Sequence, residues 1–228
     1  MRETIYTIPI NIEFEKKSPC ALCRLHADAG AKALEYITGA AMMEPDVRMS
    51  TNEKGFCAGH FADMLRLNNR LSVALMLLSH LDEVTKNHLT RISGALAPGI
   101  GKSARGLAEA TRSCFVCERV EMFMRNYAAN IVHMWGDSAE FMSLYRGQNG
   151  FCLPHAADLL AAGEAKLNKR SAADFARDTL ANATQWTAKT RAEVEAFTKS
   201  FDYRNIGTPL SDEVKLSVET AIKLLTGE

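Results

Sequence analysis

Gly55-Phe56-Cys57-Ala58-Gly59-His60-Phe61-Ala62-Asp63-Met64-Leu65 is matched further along the chain by Gly150-Phe151-Cys152-Leu153-Pro154-His155-Ala156-Ala157-Asp158-Leu159-Leu160. Seven of the eleven positions are identical: Gly, Phe, Cys, His, Ala, Asp and Leu. Each copy follows a cysteine pair. Cys20-Ala21-Leu22-Cys23 precedes the first, and Cys114-Phe115-Val116-Cys117 precedes the second. From Cys20 to His60 is 40 positions and from Cys114 to His155 is 41. The pattern reads as an internal repeat in which each copy offers three cysteines and one histidine.

That set points to a metal. Two thiolates two residues apart can grip one ion, because the intervening turn aims backbone N–H groups at the sulfurs. Cys57 with His60, and Cys152 with His155, stand at i and i+3, so on a helix they share a face. Helix N-termini are electropositive and favour thiolates. Three cysteines and a histidine form a closed structural zinc set. The expectation is two zinc ions, one held by Cys20, Cys23, Cys57 and His60, the other by Cys114, Cys117, Cys152 and His155. Iron–sulfur clusters are the alternative, although they usually take four thiolates. Asp63 and Asp158 follow each histidine by three residues and could accept a ring N–H. A solvated or capping role is the competing reading for both. Phe56 and Phe151 could wall the sites from water, and Gly55 and Gly150 suggest a backbone conformation other residues avoid.

Composition narrows the setting. The chain has 228 residues, 47% of them apolar, and zero formal net charge. A neutral surface argues against nucleic-acid backbone binding. The first ten residues lack the apolar run of a signal peptide, and no stretch approaches the roughly 20 apolar residues of a membrane helix. A cytoplasmic location follows as an expectation. Thiols stay reduced there, so paired cysteines favour metal over disulfides. All six cysteines fall within the repeat.

The periodicity is helical almost throughout. Residues 4–10 read as a short extended start around Pro9, with Asn11 opening a short helix. A helix runs from Cys20 to about Ile37 and stops at Gly39. Residues 40–54 read as irregular. One helix is expected from Cys57 to about Ile92, weakest at Asn68-Asn69. Gly94, Pro98, Gly99 and Gly101 mark a linker. In the second half, helices are expected from Cys114 to Met134, over Ser138–Tyr145, and from Cys152 to Leu167 with Pro154 in its first turn. Ser171 with Asp174 suggests a cap for a long helix to about Phe201, and Ser211 caps a last helix to about Leu225. The fold class is all-α: duplicated metal-stapled helical hairpins plus a C-terminal helical pair. The expected divisions are a first repeat over residues 1–93, a linker over 94–103, a second repeat over 104–170 and an extension over 171–228, together forming one compact domain.

The remaining histidines, His26, His80, His88 and His133, lack a ligand set and read as packing residues, as do the ten methionines. A ligand-binding surface is sought in Glu44, Asp46 and Arg48, together with Tyr203 and Arg204. The first three surround Pro45 near a metal ligand, and the last two could bind an anion or an aromatic group. A plain ion pair between the segments is the competing reading.

The chain resembles a family of uncharacterised bacterial proteins of Firmicutes type. The resemblance is carried by Tyr6-Thr7-Ile8-Pro9, both Cys-x-x-Cys pairs, Met43-Glu44-Pro45-Asp46-Val47-Arg48, both Gly-Phe-Cys-x-x-His motifs and Phe201-Asp202-Tyr203-Arg204. It spans nearly the whole chain and implies no activity. There is no phosphate loop, nucleophile elbow or dinucleotide fingerprint. The functional expectation is therefore a metal-stapled helical module that binds a peptide, a protein or a small ligand. The alternatives are an enzyme with its active site in a cleft between the repeats, and a thiolate-based redox or metal sensor.

Overall fold

A computed structural model describes residues 5–90, 99–205 and 209–227. Among the described residues all regular structure is helical. Helix α1 spans Thr7–Glu15 and buries Thr7, Ile10 and Phe14. This corrects the extended start. Pro9 sits in the first turn, just before Ile10, whose N–H makes the first helical bond to the Tyr6 carbonyl at 3.3 Å. A first-turn proline gives up no bond, so it does not block the helix.

Helix α2, Ala21–Thr38, ends where the Gly39 N–H meets the Glu35 carbonyl. The segment expected to be irregular is a 3-10 turn, Ala40–Met43, followed by α3, Pro45–Lys54. Pro45 and Asp46 start α3 rather than break it: proline suits the first helical position, and an acid suits the positive end of the dipole. The single helix expected after Cys57 is two helices, α4 over Ala58–Arg66 and α5 over Arg70–Val84. Asn68 adopts φ 57°, and the Asn69 side chain caps α5 by accepting from the Ser72 N–H. A π-helical turn, Thr85–Leu89, extends α5.

Of the expected linker, Gly94 and Pro98 lie outside the described residues. Helix α6, Ile100–Ala110, already begins within it. Helix α7 covers Phe115–Asp137, and α8, Ala139–Arg146, is capped by Ser138. Helix α9 covers Leu153–Lys166 with Pro154 in its first turn. The long α10, Lys169–Lys199, is capped by Asn168 rather than Ser171: the Asn168 side chain accepts from the N–H groups of Arg170 and Ser171. Ser171 is already inside the helix, where its own N–H is one of the groups that needs capping. After a 3-10 turn at Tyr203–Asn205 come α11, Asp212–Lys215, capped by Ser211, and α12, Ser217–Thr226.

The chain forms two compact units. One comprises Met1–Ala27 with Met124–Glu228, the other Asp28–Phe123. The first is built round aromatic rings. Tyr145 packs against Phe151 at 5.1 Å and Phe175 at 5.3 Å between centroids, and Phe14 against Phe141 at 5.2 Å. Each such ring contributes roughly 1.5–3 kcal/mol by burial. The Tyr145 hydroxyl meets Thr179 Oγ1 at 2.6 Å, and burial holds the phenol well above its ordinary pKa. In the second unit, Arg48 donates to the Leu75 carbonyl at 3.0 Å and to Ser79 Oγ at 2.7 Å, tying α3 to α5. His80 Nδ1 lies 2.6 Å from the Asn52 carbonyl on the same seam.

Candidate metal centres

The eight candidate ligands gather into two groups that could each hold a metal ion: Cys20, Cys23, Cys152 and His155, and Cys57, His60, Cys114 and Cys117. Within each group the ligand atoms all lie within 4.8 Å of one another. The grouping corrects the one expected. Cys20 and Cys23 meet Cys152 and His155, and Cys114 and Cys117 meet Cys57 and His60, the reverse of the expected assignment. Helices of 18 and 23 residues, α2 and α7, stand between each cysteine pair and the Cys-x-x-His that follows it, so no short connection draws those two segments together.

The first group belongs to the discontinuous unit. Cys20 and Cys23 open α2, and Cys152 and His155 open α9. Cys152 Sγ lies 3.8 Å from Cys20 Sγ and 3.6 Å from Cys23 Sγ. His155 Nδ1 faces all three sulfurs, at 3.0 Å from Cys152, 3.4 Å from Cys23 and 3.7 Å from Cys20. The site is sealed: Cys20, Cys23, Cys152 and His155 are 3, 7, 0 and 6% exposed. Phe151, next to Cys152 in the chain, is fully buried and packs against Phe14 and Tyr145. Gly150 adopts φ +153°, and a Cβ there would fall 2.4 Å from Trp186 Cβ.

The second group lies in the other unit. His60 Nδ1 is 3.1 Å from Cys57 Sγ, 3.3 Å from Cys114 Sγ and 3.4 Å from Cys117 Sγ. Cys57 and Cys117 sulfurs are 3.8 Å apart. The Cys117 N–H points at Cys114 Sγ, 3.5 Å away, the backbone donation expected of a Cys-x-x-Cys turn. The Phe115 N–H donates to the Gly55 carbonyl, so the two ligand segments are joined through main chain. Gly55 has φ +60°, and a Cβ on it would sit 2.6 Å from His80 Nε2. Here Cys114 is buried, but Cys57, His60 and Cys117 are only partly covered.

The metal-free clusters resist holding several thiolates at once. In the first, hydrogen bonds from Cys152 and Cys23 hold the Cys20 thiol far below its ordinary pKa, whereas Cys152 and Cys20, with burial, push Cys23 far up. Burial lowers the His155 pKa, but hydrogen bonds to Cys152 and Cys20 and the thiolate charge outweigh it, so the value rises to about 10. In the second, burial and the neighbouring Cys114 push Cys117 up to about 12. Burial also raises Cys57, but backbone N–H groups of His60 and Gly59 and the neighbouring thiols turn the net shift downward. A divalent cation would offset most of this charge, leaving a net charge of about −1 on three thiolates and a neutral histidine.

Neither aspartate hydrogen-bonds to its histidine. Asp63 pairs with Arg66 at 2.6 Å. Burial lowers the His60 pKa, and the charge of Asp63 opposes that from a distance. Asp158 is exposed. Among the other candidates, Arg48 is spent on Leu75 and Ser79, and Arg204 pairs with Asp202 at 2.5 Å. Tyr203 is exposed. Glu44 and Asp46 stand at the start of α3, in a different unit from Tyr203 and Arg204. His80 and His88, read as packing residues, line a cavity of about 540 Å³ with Glu53 and Glu83. The π-helical turn beside that cavity has no periodicity signal in the sequence.

Fold and site together define an all-α protein with two Cys3His clusters able to hold metal. The chain belongs to the family described as "Family of unknown function (DUF6062)", whose model matches residues 1–228. No curated protein and no solved structure matches it.

Proposed function

We propose that this protein binds two zinc ions in closed structural sites, and that the stapled helical scaffold acts as a binding module for a peptide, a protein or a small ligand. The spacing of the ligand atoms carries the reading. Metal–sulfur bonds of about 2.3 Å and a metal–nitrogen bond of about 2.0 Å give a tetrahedron with edges of about 3.8 Å between sulfurs and about 3.5 Å from sulfur to nitrogen. The Cys20–Cys152, Cys23–Cys152 and Cys57–Cys117 sulfur separations of 3.6–3.8 Å lie on those edges, and the sulfur-to-nitrogen separations run from 3.0 to 3.7 Å. A multi-iron cluster would spread its thiolates over separate irons.

Four protein ligands per ion leave no open coordination position, so binding is favoured over metal-centred catalysis. A reducing compartment such as the cytoplasm suits six free thiols. No helix among the described residues is long and apolar enough to cross a membrane. The test is elemental analysis with an absorption spectrum on anaerobically purified protein. Two zinc ions per chain and no visible band support the reading. Strong absorption near 400 nm with iron present would replace it.

A further inference from the structure

The two clusters share a ligand set but differ in covering. Every ligand of the Cys20 cluster is buried, while Cys57, His60 and Cys117 of the other are partly open to solvent. The two open thiols are also in contact, with Cys57 Sγ 3.8 Å from Cys117 Sγ. The third cysteine of that set, Cys114, is 4% exposed. Thiolate reactivity follows access as well as charge, so this difference sorts the clusters chemically.

Resting on the metal reading above, we infer that the Cys57–His60–Cys114–Cys117 site is a peroxide-reactive centre that releases its metal through a Cys57–Cys117 disulfide, while the Cys20–Cys23–Cys152–His155 site remains a permanent staple. Cys57 opens α4, where the backbone N–H groups of Gly59 and His60 approach its sulfur. Its thiolate attacks one peroxide oxygen and breaks the O–O bond. Cys57 becomes a sulfenic acid, and the other oxygen leaves as hydroxide or alkoxide, which takes up a proton. The Cys117 thiolate then attacks the Cys57 sulfur and displaces hydroxide, which a second proton turns to water. Two thiolates have lost two electrons, and one hydrogen peroxide has become two waters. Only Cys114 and His60 remain as ligands, too few to close a tetrahedral site, so the ion departs. A thiol reductant restores both thiolates. The buried cluster offers no comparable approach for the oxidant.

The test uses metal-loaded full-length protein, titrated anaerobically with hydrogen peroxide. Released metal is read with a colorimetric chelator, and thiol connectivity by peptide mass mapping without reduction. The expected result is release of half the bound metal, with a Cys57–Cys117 linkage and with Cys20, Cys23 and Cys152 still reduced. Dithiothreitol and added zinc should then restore full occupancy. Simultaneous loss of both ions, a linkage confined to Cys114–Cys117, or oxidation of the Cys20 cluster first would overturn the inference. Should the purified protein contain no metal, the zinc reading falls. The mapping on that same sample still decides whether Cys57 and Cys117 are the thiols that react.

Discussion

Cys23 Sγ lies 3.6 Å from Cys152 Sγ although 129 positions separate the two residues. That contact joins the Cys20–Cys23 pair to the Cys-x-x-His at Cys152–His155 and not to the nearer one at Cys57–His60. Double substitutions read this pairing directly. Cys20→Ser and Cys152→Ser should each lower the melting temperature by about 10 °C or more, since a structural site contributes several kcal/mol to folding. Combined, they should cost little more than either alone, because both destroy one site. Cys20→Ser with Cys57→Ser should be close to additive. Thermal melts with metal counts check both, and additivity of Cys20 with Cys152 would sink this arrangement.

Metal affinity should fall steeply with acid. In the metal-free Cys20 cluster, His155 is raised to about 10 and Cys23 is raised as well, so both carry protons at neutral pH. Both protons must leave when the ion binds. The sign is therefore weaker binding at lower pH, by about tenfold per pH unit for each proton displaced. Competition with a chelator of known affinity between pH 6 and 8 measures the slope. A pH-independent affinity would contradict this protonation scheme.

Gly55→Ala and Gly150→Ala should each destabilise by about 2–4 kcal/mol. Both glycines have positive φ, and an added Cβ would press on His80 in one case and Trp186 in the other. Removing the ring with His80→Ala should restore only part of the Gly55→Ala loss, because the backbone strain persists. Urea unfolding of the three variants separates the contributions.

Arg48→Ala should cost about 1–3 kcal/mol, since the Leu75 carbonyl and Ser79 hydroxyl lose their charged donor. Arg48→Lys should recover less than half of that, because one ammonium cannot reproduce the planar fork. Chemical denaturation of both variants is the measurement.

Much of this was legible in the residues. The apolar period gave α2, α7, α8 and α9 to within a few positions, and the repeated Cys-x-x-His identified all eight side chains that cluster. Their grouping was not evident from spacing, because nearly equal intervals within each copy suggest local closure. Pro9 and Pro45 misled in the same way: each looked like an interruption, and each occupies a helix's first turn, where a missing N–H costs nothing. The break at Asn68 was visible as a weak point, but two asparagines alone do not say whether a helix bends or ends.

The clusters are nested along the chain, with the Cys57–Cys117 set lying wholly between the halves of the Cys20–His155 set. During synthesis the inner cluster is therefore complete first. Cys23 and its partner His155 are 132 positions apart. At about 5–20 residues per second, Cys20 and Cys23 wait roughly 7–26 s as open thiols before His155 has been made. The site that ends as the best protected in the folded protein is thus the one exposed longest while the protein is born, and metal supply during translation bears on it most.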